Sequence, residues 1–280
     1  MIEMLQFTFI QHALLAALLA SLACGIIGSY VVSRKMVFIS DGIVHTSYAG
    51  IGLGFFMGFN PYVGAVIVAV LAGLALGAMQ LRQGQTSDTS ISVIWALGIA
   101  IGVTLVALTP GYAPDLMSYL FGSILFVTTP DLWLMLALDV VILILVLRYY
   151  KPFLSISFDA EFSAVAGLPV AFLQLLLYAL IALTVVLLIK VVGLILVVAM
   201  LTIPAAIAKM FRPALKTMMS GASLLALLFM VGGIVLSYGL GTWLDLQLPT
   251  GAVVILLSCA AYFFASVLAA KTGTVSAPKP

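Results

Sequence analysis

Apolar stretches of roughly 20 residues recur from Phe9 almost to the C-terminus, each long enough to cross about 30 Å of hydrocarbon as a helix rising about 1.5 Å per residue. That repetition leaves a narrow choice of folds. Inside a bilayer no water satisfies the backbone, so only helices and closed barrels span it. A barrel needs alternating strands of about 10 residues, and the sequence has none. Charged residues make up 7% of the chain and hydrophobic ones 65%. An ordinary soluble domain carries about 25% charge, so the soluble class is excluded. The expected fold class is all-α, a polytopic helical membrane protein.

Nine candidate spans can be marked: Ala13–Val32, Ile39–Phe59, Pro61–Met79, Ser90–Leu108, Leu132–Leu147, Ala171–Ile189, Val192–Met210, Thr217–Tyr238 and Gly251–Ala270. The expectation is therefore about eight or nine transmembrane helices. With Arg34 and Lys35 placed in the cytoplasm, strict alternation puts ten of the eleven Lys and Arg residues inside, as the positive-inside bias of short loops requires. These include Arg82, Arg148, Lys151, Lys209, Arg212, Lys216, Lys271 and Lys279. Only Lys190 falls outside, at a helix end from which it can snorkel to the interface. The N-terminus is then external and the C-terminus cytoplasmic. Met1 to Gln11 has no basic n-region and Ala13–Val32 is longer than a signal h-region, so the first stretch is expected to stay as a span.

Two segments are too polar to span and too patterned to be plain linkers. The external one, Pro110 to Pro130, predicts a short helix at about 112–122, with Pro114 near its start and Gly122 at its end. The cytoplasmic one, Lys151 to Pro169, predicts a short helix at about 157–168. Ser157 or Asp159 caps it, Glu161 lies on it, and Gly167 ends it. Residues 1–280 read as a single domain with no room for a soluble one. Within the spans, Gly50, Gly54 and Gly58, and Gly73 with Gly77, form small-residue faces suited to close helix packing in lipid or to lining a narrow path.

Ionisable groups inside spans are costly and are functional candidates by default. Asp41 and His45 are four residues apart, so a helix places carboxylate and imidazole on one face. The pair can offer oxygen and nitrogen ligands to a borderline divalent ion such as zinc or manganese. It can equally be a structural hydrogen bond, or Asp41 can cap a helix among the headgroups. Ser47 and Tyr48 add polar atoms nearby, as further candidates for a path. Asp139, in the middle of the fifth span, is either protonated, facing a path or bonded to a neighbouring helix. Pro204 inside a span kinks or breaks it, as gating helices do. His12 precedes the first span, and Trp243 and Asp245 flank an outer loop as interfacial residues.

The net charge of +2 gives no reason to expect a nucleic-acid partner. Cys24 and Cys259 form no CxxC pair and read as buried thiols. No GxxxxGK[ST] loop and no HExxH occurs, so the chain carries neither a phosphate cradle nor a zinc-protease site and reads as a non-enzyme. It is either a gradient-driven carrier or channel complete in itself, or the membrane half of a machine powered elsewhere.

Four runs carry a resemblance: Asp41 to His45 (DGIVH), Asp115 to Gly122 (DLMSYLFG), Ser157 to Glu161 (SFDAE) with Gly167 to Pro169 (GLP), and Leu201 to Ala208 (LTIPAAIA). Together they resemble the membrane permease subunit of bacterial ABC-type zinc, manganese and iron importers, the ABC-3 family, with the zinc permeases most similar. The resemblance implies a bundle akin to the vitamin B12 permease in the bacterial inner membrane. It implies a homodimer on two cytoplasmic ABC ATPase subunits that hold the ATP, and an extracytoplasmic metal-binding protein. No cofactor is then held permanently; Zn2+, Mn2+ or Fe2+ is the cargo. Asp41 and His45 fall where the family's path ligands lie, and Asp159, Glu161 and Gly167 fall on its coupling element.

Overall fold

The computed structural model describes residues 7–83, 88–110, 122, 124, 127–194, 196–244 and 248–271. Among these residues the chain forms eleven helices and no strand. They are α1 (Thr8–Ser33), α2 (Val37–Met57), α3 (Pro61–Gln83), α4 (Asp88–Leu108), α5 (Thr129–Arg148), α6 (Tyr150–Phe158), α7 (Ala160–Val165), α8 (Val170–Val192), α9 (Val197–Phe211), α10 (Leu215–Leu244) and α11 (Thr250–Lys271). Seven of them, α1, α3, α4, α5, α8, α10 and α11, are long and apolar enough to cross a bilayer. Two expected spans fall short of that standard. At 21 residues, α2 has the length but carries Asp41 and His45. Helix α9 has 15 residues, about 22 Å.

The ends of the helices have local causes. Gly58 adopts φ 74° after α2, and its neighbour Phe59 donates its N–H back to Gly54 O at 3.0 Å; a left-handed residue is what stops a helix cheaply. Asn60 then caps α3, its Oδ1 accepting from Tyr62 N at 2.9 Å. Helix α5 begins three residues earlier than expected, because Asp131 Oδ2 accepts from Thr128 N at 2.9 Å and Pro130 sits in the first turn. The expected span Val192–Met210 loses its first turn. Gly193 takes φ 89° and ends α8, so α9 starts only at Val197.

The cytoplasmic helix expected at about 157–168 is two helices meeting at Asp159. That residue is extended (φ −150°, ψ 107°), ending α6 and capping α7, where its carboxylate accepts from Phe162 N at 2.8 Å. Ser155 and Ser163 hydroxyls, 2.7 Å apart, tie the two together. Gly167 has φ 81° and ends the element. The expected outer helix at about 112–122 lies outside the described residues up to Phe121, as does Asp245.

Burial orders the bundle. Helix α8 is the most enclosed of these seven spans, with 72% of its most apolar stretch buried, and α1 follows at 67%. Helix α8 packs against α1, α2, α3 and α5, while α1 packs against α9 and α10. Helices α4 and α5, at 22% each, lie at the periphery. Helix α2 lies against α3 on one side and α4 on the other.

Lipid offers no hydrophobic drive between helices, so close backbone approach through small residues must hold them together. At the α2–α3 crossing, a Cβ on Gly50 would sit 2.1 Å from Gly64 O, and one on Gly64 would sit 2.1 Å from Gly50 O. At the α2–α4 crossing there is equally no room: a Cβ on Gly98 would sit 2.4 Å from Thr46 Cα, and one on Gly52 would sit 2.6 Å from Gly102 O. Gly50→Val is therefore expected to force α2 and α3 apart. Overpacking costs about 1–3 kcal/mol or more, read as a lower melting temperature of the detergent-purified protein. An unchanged melting temperature would contradict this crossing.

Candidate functional site

Helix α2 starts at Val37 with Met36 as its cap, so Asp41 lies a full turn inside the helix and caps nothing. The helical repeat then brings His45 Nε2 to 3.3 Å from Asp41 Oδ1. The imidazole is mostly enclosed, with 16% of its side chain exposed against 35% for Asp41. Its Nδ1 is buried and finds no hydrogen-bond partner among the described residues. The Trp95 indole of α4 lies beside the ring, 5.2 Å between centroids and tilted by 55°.

This separation suits a metal ion. Donors held about 2.0–2.2 Å from one ion and 3.3 Å from each other subtend roughly 95–110° at it, between octahedral and tetrahedral ideals. The described residues contain no group of three or more His, Cys, Asp or Glu side chains able to hold an ion. One copy thus offers two protein ligands at this point, and water or a second copy would complete the set.

The neighbouring polar residues are committed to packing. Ser47 is fully buried and its hydroxyl donates to Val44 O at 2.5 Å. Tyr48 is buried with its ring against Gly102. Thr46 donates to Gly42 O at 2.6 Å and lies 3.3 Å from Ile94 O, linking α2 to α4.

Asp139 is buried at 8% exposure, and neither carboxylate oxygen has a partner among the described residues. Its helix, α5, packs on α1 and α8, so the structure does not bring Asp139 to the Asp41–His45 pair. Lys190 is more than an interfacial anchor. Its Nζ lies 3.2 Å from Asp131 Oδ2 and 4.4 Å from the centroid of the Tyr62 ring, joining α8, α5 and α3. His12 Nδ1 lies 3.2 Å from Val127 O. Arg34, just past α1, is half-buried, and that burial lowers its pKa.

Pro204 is buried inside α9. Having no N–H, it leaves the carbonyl four residues earlier, that of Met200, without its helical donor. Cys24 of α1 replaces that donor: its Sγ donates to Met200 O at 2.7 Å. One turn on, a Cβ at Gly28 would lie 2.1 Å from Leu201 O. The proline is thus braced by a thiol and a glycine of the helix beside it. On the α6–α7 segment, Glu161 and Gly167 are exposed, and so are Phe158, Phe162 and Val165 at 68–88%.

Reading the sequence singled out neither Trp95 nor the Cys24–Met200 contact. A signal for the first was present: Ile91, Trp95, Gly98 and Gly102 follow one helical face of α4. The second depends on two segments 176 residues apart and leaves no local trace.

Comparison with known proteins agrees with this architecture. The profile of the ABC 3 transport family matches residues 6–269. The chain is 48% identical over 262 residues to an uncharacterized membrane protein of Synechocystis sp., slr2045, covering 94% of this chain and 91% of that one. It is 31% identical to the manganese transport system membrane protein MntC of Listeria monocytogenes, covering 99% and 96%. Among solved structures it resembles PsaBC from Streptococcus pneumoniae in complex with Fab, with 29% identity, a TM-score of 0.81 and coverage of 94% and 93%.

The brace at Pro204 is directly testable. Cys24→Ala leaves a buried carbonyl unsatisfied, a loss of about 1–3 kcal/mol, whereas Cys24→Ser keeps a donor. Thermal unfolding in detergent is expected to show a clear drop for the alanine variant and a smaller one for serine. Equal melting temperatures for the two would remove the hydrogen bond from the account.

Proposed function

The chain belongs to the ABC 3 transport family, and from that premise we propose that it is the permease subunit of an ATP-driven importer of a divalent transition metal. It is a multi-pass plasma-membrane protein of a metal ABC transport system. The finer reading has Asp41 and His45 as a transient station on the ion's route. The observation that carries it is the pair itself, carboxylate and imidazole 3.3 Å apart on a helix inside a bilayer protein. Ionisable groups there are expensive and persist where they handle ions.

The whole chain acts as one permease domain. Two copies form the path, each contributing one Asp41–His45 pair, so that four protein ligands meet the ion. Neither copy holds the ion with more than two of these ligands, so parting of the two copies releases it. An extracytoplasmic binding protein delivers the ion, and two ATPase subunits supply energy at the cytoplasmic face. The α6–α7 segment is the element they move: Asp159 fixes its corner, and its exposed Phe158, Phe162 and Val165 give a soluble partner an apolar grip. Pro204 marks where α9 bends as the bundles tilt. Zinc is the cargo implied by the motif resemblance, while manganese is in the name of the Listeria relative; the pair's geometry serves both.

Replacing both ligands, D41A with H45A, is expected to abolish zinc and manganese uptake in whole cells while assembly with the ATPase subunits persists. Normal uptake by that double variant would sink the station. Gly167→Val strains a residue at φ 81° and is expected to lower metal transported per ATP hydrolysed in reconstituted complexes. Uptake by the purified chain alone, indifferent to ATP, would instead show a self-contained carrier or channel.

A further inference from the structure

Metal-binding histidines ordinarily donate their second ring N–H to a carboxylate or carbonyl, which orients the ring and strengthens it as a ligand. Among the described residues His45 has no such support. Nε2 faces Asp41, and Nδ1 is buried without a partner among the described residues. When an ion enters between Asp41 and His45, it replaces the hydrogen bond that aligned the ring. Something else must then keep the imidazole from turning.

That something is Trp95. Its indole lies 5.2 Å from the imidazole, centroid to centroid, on a stretch of α4 whose backbone is fixed on both sides. One turn before it, Ile91 packs on Gly42, with its Cγ2 2.9 Å from where a Cβ would be. One turn after it, Gly98 lies against Thr46, a Cβ there being 2.4 Å from Thr46 Cα. These are the tight contacts between α4 and the part of α2 that carries the pair, so the backbone bearing the indole, a residue 39% exposed, is held where two glycines let the helices close. Aromatic rings at such distances attract and restrict one another.

We propose that Trp95 is the positioning residue of this site: it holds the His45 imidazole in register for the cargo ion without lending it hydrogen-bond support. The ring is oriented yet remains a weak ligand, which is what a passing ion needs. The inference rests on the reading of Asp41 and His45 as the ion's station, and it adds a residue that touches the ligand and never the metal.

The test uses the assembled transporter, permease with its ATPase subunits and no binding protein, titrated separately with Mn2+ and Zn2+. Trp95→Ala is expected to weaken ion binding about tenfold, the scale of losing a ligand's orienting partner. Trp95→Phe, which keeps a ring, is expected to stay within about threefold of the parent. In an H45A background, Trp95→Ala is expected to add nothing. If H45A abolishes binding but Trp95→Ala binds as the parent does, the positioning role is overturned and the station stands. If H45A itself binds normally, the station fails and the role with it. Should Trp95→Ala fail to assemble, intrinsic fluorescence decides: Mn2+ is expected to quench the parent more than Trp95→Phe, and equal quenching overturns the proposal.

Discussion

Everything at the site depends on how closely α2 can be approached by its neighbours. Its glycines meet Gly64 of α3 and Gly102 of α4 with no space for a methyl group. This backbone contact does the work that hydrophobic burial does in water. It also lets a helix carrying an aspartate and a histidine sit among apolar spans, because α3 and α4 shield most of its length from lipid. The same contact sets the distance between α4 and α2 and so delivers Trp95 to His45.

A second close packing joins α1 to α9. Cys24 and Gly28 face the interrupted helix α9, one supplying a donor to the carbonyl that Pro204 orphans and the other giving space to the next carbonyl. A proline in a span is tolerable when neighbouring groups satisfy what it frees. Here the neighbour is a single thiol, a weak donor. Lys190 ties α3, α5 and α8 with an ion pair and a ring contact.

Much of this was legible in the chain. The spans stand out because a bilayer admits so few backbone solutions, and Asp41 with His45 because a helix repeats every 3.6 residues. The corner at Asp159 and the stop at Gly167 are local signals, and both residues do locally what their types suggest. Other features leave no such trace. Gly193 shortens the seventh expected span, and nothing in a run of apolar residues marks where the helix gives way. The split of the α6–α7 segment arises because Asp159 serves two helices at once. Ser47 is polar in composition, yet its hydroxyl is spent on its own helix, and the Tyr48 ring packs on Gly102. Asp131 reaches Lys190 and Cys24 reaches Met200 only after the chain has folded.

The central claim is that an ion in transit is held between a carboxylate and an imidazole of α2, displacing the hydrogen bond that joins them in its absence. X-ray absorption at the metal edge, on the assembled complex trapped with zinc or manganese, measures that shell directly. The account predicts a nitrogen/oxygen shell at about 2.0–2.2 Å accompanied by the outer-shell scattering of a bound imidazole ring, with the ring signal lost in H45A. A spectrum with no imidazole signal, the same with and without His45, would contradict it.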